Sequence, residues 1–270
     1  MRTRKTAPAD IPALKAIWNE AFAEDSARDI DEFFENIYPN ASGFCAEDET
    51  GSVCAMLFAL PQTIMKGEKQ LKAAYLYAVA TKKEYRGKGY CKAVMAYAEK
   101  ELRKRYVEAL LLSPATQALA DFYAKLGFSR QTGGNKVILD CAKAEGQATE
   151  VGVQDYAGLR ETALWDISHV RYDRAQLEYA VSGGKFYCLM AGYSMGCAAV
   201  KDGTDGMQAF VYELLPGNSM LGALGEKLGA GKYEVQTAQD GENGETWCML
   251  KWLDKEYPDF EPVYMGFALE

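Results

Sequence analysis

The stretch from Ala78 to Lys100, AVATKKEYRGKGYCKAVMAYAEK, constrains the fold more than any other part of the chain. An apolar run ends, a basic turn with two glycines follows, and a helix begins whose apolar face is marked by Val94, Met95, Ala98 and Leu102. A strand that hands over to a helix through Arg86, Gly87, Lys88 and Gly89 exposes several main-chain N–H groups at the positive end of that helix. Glycines let the backbone approach an anion closely, and nearby Lys and Arg side chains add charge at longer range. The predicted feature is an anion cradle. A tight strand-to-helix connection uses the same residue types, so the turn alone leaves structural and functional readings open.

Around this turn the first half reads as alternating strands and helices. Asp10 is placed to start a helix carrying Ile11, Leu14, Ile17, Trp18 and Phe22 on one side, with Pro12 in its first turn. A shorter amphipathic piece, DEFFENIY, follows. GFCAED, VCAMLFAL and AAYLYAVAT, separated by turns at ETGS and MKGEK, predict an antiparallel meander. Beyond the basic helix, VEALLL reads as a buried strand, PATQALADFYAKLGF as a helix stopped by Gly127, and KVILD as a closing strand. The small, polar CAKAEGQATE is the linker candidate, which places the domains at 1–141 and 149–270. The second half starts as the first does. Asp155 and Leu159 in QDYAGLRE are spaced as Asp10 and Leu14 are, and a second helix, RAQLEYAV, and strands KFYCLMAG, GCAAVKD and MQAFVYELL follow. A helix at NSMLGALGEKLG and strands near YEVQT, TWCMLKWL and VYMGFALE complete it. The expected class is α/β (α+β), a mixed and mostly antiparallel sheet flanked by helices, in two copies. The second copy carries PGNSM where the first has its glycine turn.

Charge is unevenly divided. Residues 1–140 hold 20 Lys+Arg against 18 Asp+Glu, a net of +2, whereas 141–270 hold 10 against 20, a net of −10. Within this acidic chain of net charge −8, Lys82 to Arg105 forms a basic island of nine cations against three acids. The overall balance argues against a nucleic-acid binder and suits a cationic small partner. Seven scattered cysteines without a CxxC pair read as reduced thiols in a cytoplasmic protein. No signal-like or membrane-length apolar run is present, so neither export nor a membrane partner is expected. His169 is the only histidine, in DISHVRYD, which removes a histidine-based metal site and makes a serine-histidine-acid triad unpromising. The expectation is no metal.

The glycine turn does not stand alone. Strand LYAVAT, turn KKEYRGKGYCK, a basic-ended helix, strand VEALLL and helix ADFYAKLGF follow in order, and this pattern resembles the GNAT superfamily of acyl-CoA-dependent N-acetyltransferases. The family signature Q/R-x-x-G-x-G/A reads here as Arg86, Gly87, Lys88, Gly89, Tyr90 and Cys91, with Cys91 where glycine or alanine is usual. A second mark, Tyr, three residues, Gly-Phe, is met by Tyr123, Gly127 and Phe128. An asparagine often found seven residues before that tyrosine is Thr116 here. The marks span Pro8 to Asp140, and a resemblance to tandem members with a degenerate second half extends over most of the chain. A Walker lysine followed by Ser or Thr is absent, as is the G-x-G-x-x-G of dinucleotide sites.

The resemblance implies acetyl-CoA as cosubstrate and an N-acetyltransferase acting on a primary amine of a small molecule or peptide by direct attack. It places the pantetheine arm along the backbone of Val79, Ala80 and Thr81, and the pyrophosphate at Arg86 and at Gly87, Lys88, Gly89, Tyr90, Cys91 and Lys92. Tyr123 would protonate the leaving thiolate. For the base, Glu20, Asp25, Glu32, Tyr75, Tyr77 and the terminal Glu270 all stay open, with ordered water an alternative. Phe33, Phe34 and Tyr38 are either core or acceptor-pocket wall. The competing reading is a non-catalytic acyl-CoA-binding or interaction protein. Acceptor identity, acyl length and oligomeric state are not legible in the residues.

Overall fold

The computed structural model describes residues 1–239 and 245–267 of the chain. Contacts divide it into two compact units. The first comprises Met1–Thr63, Leu71–Leu112 and Leu250–Glu256; the second comprises Ile64–Gln70, Ser113–Met249 and Tyr257–Glu270.

In the first unit, β1 (Arg2–Lys5), α1 (Ile11–Ala21), α2 (Ala27–Glu32), β2 (Ser42–Glu47), β3 (Val53–Lys66), β4 (Lys69–Thr81), α3 (Tyr90–Arg103) and β5 (Ala109–Leu112) follow in order. The sheet runs β1-β2-β3-β4-β5. β1 and β2 pair antiparallel, as do β2 and β3, whereas β4 and β5 pair parallel, Ala73 opposite Ala109 through Tyr75 opposite Leu111. Pro12 sits in the first turn of α1, and the helix buries Leu14, Ile17 and Trp18. Ser26 caps α2 by accepting from the Asp29 N–H. The amphipathic piece predicted after α1 divides: α2 stops at Glu32, and Phe33–Ile37 takes a wider π-helical turn. That turn drives Phe33 and Phe34 into the core, where Trp18 lies 4.8 Å from Phe33 and 5.5 Å from Tyr77 between ring centroids. Burying each such ring contributes roughly 1.5–3 kcal/mol. The predicted apolar face of α3 is the buried one, with Val94, Met95, Ala98 and Leu102 all covered.

The second unit repeats this plan. α4 (Gln117–Ala124) and β6 (Ser129–Cys141) come first, then β7 (Gln147–Val151), α5 (Val153–Ala163), β8 (His169–Arg171), α6 (Arg174–Ala180), β9 (Lys185–Ala191), β10 (Ser194–Asp202), β11 (Ala209–Leu215), α7 (Leu221–Leu228), β12 (Gly231–Gln239) and β13 (Glu245–Trp252). β7 pairs β9, β9 pairs β10 and β10 pairs β11, all antiparallel, and β11 pairs β12 parallel. From β7 to β12 this matches β1 to β5 in element order and strand direction, apart from the added β8. Two copies of one fold are thus visible in topology where the residues barely match.

Two expectations shift. β7 begins at Gln147, inside the stretch read as linker, and the strand expected at VYMGFALE is, over its described residues, only an isolated bridge from Tyr264 to His169. The compact units also differ from a cut between 141 and 149. β6, from the first sequence copy, pairs with β12 over Cys141–Gly133 opposite Gly231–Gln239. The end of β13, from the second copy, lies beside β5, where the Leu253 N–H donates to the Glu108 carbonyl at 2.9 Å and Lys251 pairs with Glu99 at 2.6 Å. A contiguous reading of the chain has no access to such pairings, because strand partners are chosen by edge and register rather than by sequence neighbourhood.

Candidate acyl-donor site

The site is built where β4 and β5 part. Their pairing is recorded only from Ala73 to Tyr75 on β4, and β4 continues through Leu76 to Thr81 beyond it. Ala78 interrupts the extended backbone with φ +46°, a left-handed value that costs a non-glycine residue about 1–2 kcal/mol. It is held there by burial. Nothing in the sequence signals this kink. Just beyond it come Val79, Ala80 and Thr81, of which Ala80 is buried and the Thr81 hydroxyl is enclosed with no hydrogen-bond partner among the described residues.

Side chains fix the strand end and turn. Arg86 folds back so that its Nε donates to the Thr81 carbonyl at 3.1 Å. The Lys82 N–H donates to the Cys54 carbonyl at 2.9 Å, and the Lys83 N–H donates to the Glu20 carboxylate. The Tyr85 hydroxyl donates to Asp48 at 2.7 Å, and Asp48 also accepts from Thr50 and Ser52, which holds its carboxyl well below the usual carboxylate range. Sequence reasoning passed over Asp48, Tyr85 and the role of Glu20 because their spacing carries no motif.

Gly87 and Gly89 take φ +74° and +86°, and a Cβ at either would meet nothing within 4 Å, so conformation rather than space selects glycine. Gly89 is the residue before α3, and the first intrahelical bond runs from the Ala93 N–H to the Gly89 carbonyl at 3.0 Å. The N–H groups of Tyr90, Cys91 and Lys92 therefore lie in the helix's first turn, where no intrahelical acceptor exists. Lys88 and Lys92 are exposed beside them, Lys88 lying over the Tyr85 ring at 5.4 Å. Burial pushes the Cys91 thiol up to about 11, so the side chain at the departure from the family pattern is neutral and compact. The turn thus presents N–H dipoles with no intrahelical acceptor beside exposed lysines.

Of the base candidates, Glu20 is engaged by the Lys83 N–H and Glu32 by Arg28 at 3.0 Å. Asp25 accepts from the Trp18 indole at 2.6 Å, and burial raises its carboxyl above the usual range. Tyr75 and Tyr77 are buried and stacked at 6.1 Å. Glu270 lies outside the described residues.

Tyr123 belongs to α4, in the second compact unit, whereas the glycine turn belongs to the first. It is 6% exposed, with its ring edge-on to Phe128 at 5.9 Å. Thr116 caps α4 by accepting from the Leu119 N–H at 3.3 Å, and Gly127 takes φ +90° after the helix. His169 is buried between the Ile167 carbonyl at 2.7 Å and Glu161 at 3.1 Å, a structural place. Among the described residues no group of three or more His, Cys, Asp or Glu side chains is placed to hold a metal ion, and no helix is long and apolar enough to cross a membrane.

A parallel strand pair that opens ahead of a glycine cradle on a helix N-terminus is the architecture of the acyltransferases suggested by the motifs. Residues 2–130 match the family model of an acetyltransferase (GNAT) domain. Solved structures extend the likeness in fold to nearly the whole chain. A probable N-acyltransferase from Enterococcus faecalis V583 superposes with a TM-score of 0.75 at 14% identity, over 94% of this chain and 73% of that one. A GCN5-related N-acetyltransferase from Anabaena variabilis ATCC 29413 gives 0.73 at 15% identity over the same shares. One from Kribbella flavida gives 0.71 at 18% identity, over 94% of this chain and 71% of that one. No curated protein sequence matches the chain.

Proposed function

We propose that the protein transfers an acetyl group from acetyl-CoA to a primary amine of a small molecule or peptide. The observation that carries this reading is the glycine cradle at the open end of β4, with Gly87 and Gly89 left-handed and the first turn of α3 behind them. The residues present fit the donor. A diphosphate needs main-chain N–H groups that can be approached closely, and the space over both glycines is open. The pantetheine arm would then run along Val79, Ala80 and Thr81, whose strand edge lies beyond the recorded pairing with β5.

In the proposed reaction the amine nitrogen attacks the thioester carbonyl, the C–N bond forms, and the C–S bond breaks with thiolate as leaving group. A main-chain N–H of β4 stabilises charge on the carbonyl oxygen as it develops, a contact worth most in a water-poor cleft. Tyr123 supplies the proton to the thiolate, its ordinary pKa of roughly 10 being close to that of a thiol. The proton lost by the amine passes to ordered water. The acidic loop and helix around Glu24 to Glu35 attract a cationic acceptor by field. The protein acts in the cytoplasm, where its seven free thiols stay reduced.

The test is a panel of polyamines, aminoglycoside-like amines and lysine peptides, with thiol release from acetyl-CoA as readout. Release above spontaneous hydrolysis with at least one acceptor, and an acetylated product of matching mass, is expected. Bound acetyl-CoA with no transfer across the panel would refute the enzyme and leave a binding protein.

A further inference from the structure

The second unit lacks the glycine turn but not the opening between its parallel strands. β11 and β12 are paired from Ala209 opposite Tyr233 to Val211 opposite Val235, three residues in register as in β4 and β5, and β11 continues to Leu215 beyond that pairing. A cavity of about 600 Å³ lies at this place, with Leu214, Leu215, Gly217 and Asn218 on one side and Val235 and Gln236 on the other. That volume falls within the roughly 300–1,000 Å³ of small-molecule sites. Ser168 also lines it; this residue is 4% exposed, and its hydroxyl has no hydrogen-bond partner among the described residues. A buried hydroxyl left without a partner costs about 1–3 kcal/mol, which a ligand amide in the cavity would recover.

Charge says what does not bind. The turn after β11 is Pro216, Gly217, Asn218, Ser219 and Met220, without a basic residue. Lys66 is the one cation among the lining residues; its ammonium already donates to the Asp259 carbonyl at 2.5 Å, and Asp166 and Glu261 stand on the same wall. A diphosphate has no cradle there. Walls that mix apolar and polar groups, an orphan hydroxyl and a strand that runs on to Leu215 past its pairing with β12 fit a different ligand: an extended chain with alternating amide N–H and C=O groups, which bonds to a strand edge as an added strand does.

We propose that the second unit holds a separate ligand cleft between β11 and β12 that takes a short, uncharged, amide-bearing chain, either a peptide segment or a pantetheine-like arm free of phosphate. The proposal does not depend on acetyl-CoA binding in the first unit. The chain would lie along Leu214 and Leu215, with Ser168 meeting one of its amides and Gln236 bordering the opposite side.

The experiment is calorimetric titration of the full chain with two probes, pantetheine and an N-acetylated, C-amidated tripeptide, in four forms: wild type, Gly89→Glu, Gln236→Trp and Ser168→Ala. Saturable binding of at least one probe at or below about 1 mM is expected in wild type. Binding persists in Gly89→Glu, which alters only the first unit's cradle. Gln236→Trp, which fills the cleft from a partly exposed strand position, weakens it about 10-fold or more, and Ser168→Ala, which removes one hydrogen bond, about 3- to 10-fold. Whichever probe binds identifies the source of the amide chain. Absence of saturation by both probes up to about 10 mM overturns the proposal. So does unchanged binding in a Gln236→Trp protein of wild-type circular dichroism, with unchanged binding in Ser168→Ala as the second check. An acetyl-CoA titration of Gln236→Trp, read separately, keeps failure of this cleft distinct from failure of the first unit's site.

Discussion

Replacing Glu213 by alanine should destabilise the second unit more than any surface change. This carboxylate is 1% exposed on β11 and accepts from Arg160 Nε at 2.9 and 3.2 Å, from the Tyr264 hydroxyl at 2.9 Å and from the Tyr156 hydroxyl. Arg160 is also buried; its Nη1 donates to the Val170 carbonyl at 2.8 Å, and its guanidinium lies against Tyr172 at 5.3 Å and Phe267 at 5.8 Å. Burial raises both phenols well above their ordinary values, so they stay neutral donors, while Glu213 keeps Arg160 charged despite its burial. Glu213→Ala leaves a buried cation without its hydrogen-bonded counter-charge, with only Glu161 at 3.8 Å remaining among the described residues, and two phenols without their acceptor. Removing one partner of a buried pair costs about 3–5 kcal/mol, and relaxation around the new space sets where in that range the value falls. For a unit of this size that corresponds to a drop in Tm on the order of 10 °C. Urea unfolding followed by far-UV circular dichroism measures it, with Glu213→Gln as the control that keeps an acceptor oxygen and loses less. Coupling between Arg160 and Glu213 in a double-mutant cycle should exceed about 1 kcal/mol. A loss below about 1 kcal/mol in Glu213→Ala would show that solvent reaches Arg160 and that the network is not buried in solution.

Three further outcomes concern the first unit and the proposed chemistry. Gly89→Ala meets no atom within 4 Å, so it should cost only the backbone strain of about 1–2 kcal/mol, whereas Gly89→Glu should abolish the acetyl-CoA-induced rise in Tm; an undiminished rise would remove the assigned cradle. Tyr123→Phe should lower turnover by about 10²-fold with acetyl-CoA binding retained, and full activity would place the proton donor elsewhere. Cys91, with its thiol pushed up to about 11, is only about one part in a thousand thiolate at pH 8, so iodoacetamide should modify it slowly until the pH nears that value. The sign of its effect on stability follows: none below the ordinary thiol value of 9.0, then a falling contribution as the unfolded thiol ionises first. Fast alkylation at pH 8 would contradict its burial.

Much of this was legible in the residues, and for local reasons. Gly87 and Gly89 advertise left-handed backbone, the spacing of Val94, Met95, Ala98 and Leu102 fixes which face of α3 is buried, and Gly127 marks the end of α4. Each of these is decided within a few neighbouring residues, where steric limits and helical periodicity act directly. Ala78 illustrates the opposite case: an alanine inside an apolar run carries no sign that packing will hold it at φ +46°. The repeat in the second half is equally hidden, since strand order and direction persist from β7 to β12 while side chains diverge under no common local demand. Composition and pattern in the chain by itself determined the class of fold, the glycine cradle and its charge. Only the tertiary structure decided that β6 completes β12 and the end of β13 completes β5, that β11 and β12 open around a second cavity, and that Glu213 meets Arg160. Those outcomes depend on which distant edges and buried groups find partners, and partnership between residues far apart in the chain leaves no periodic trace in sequence.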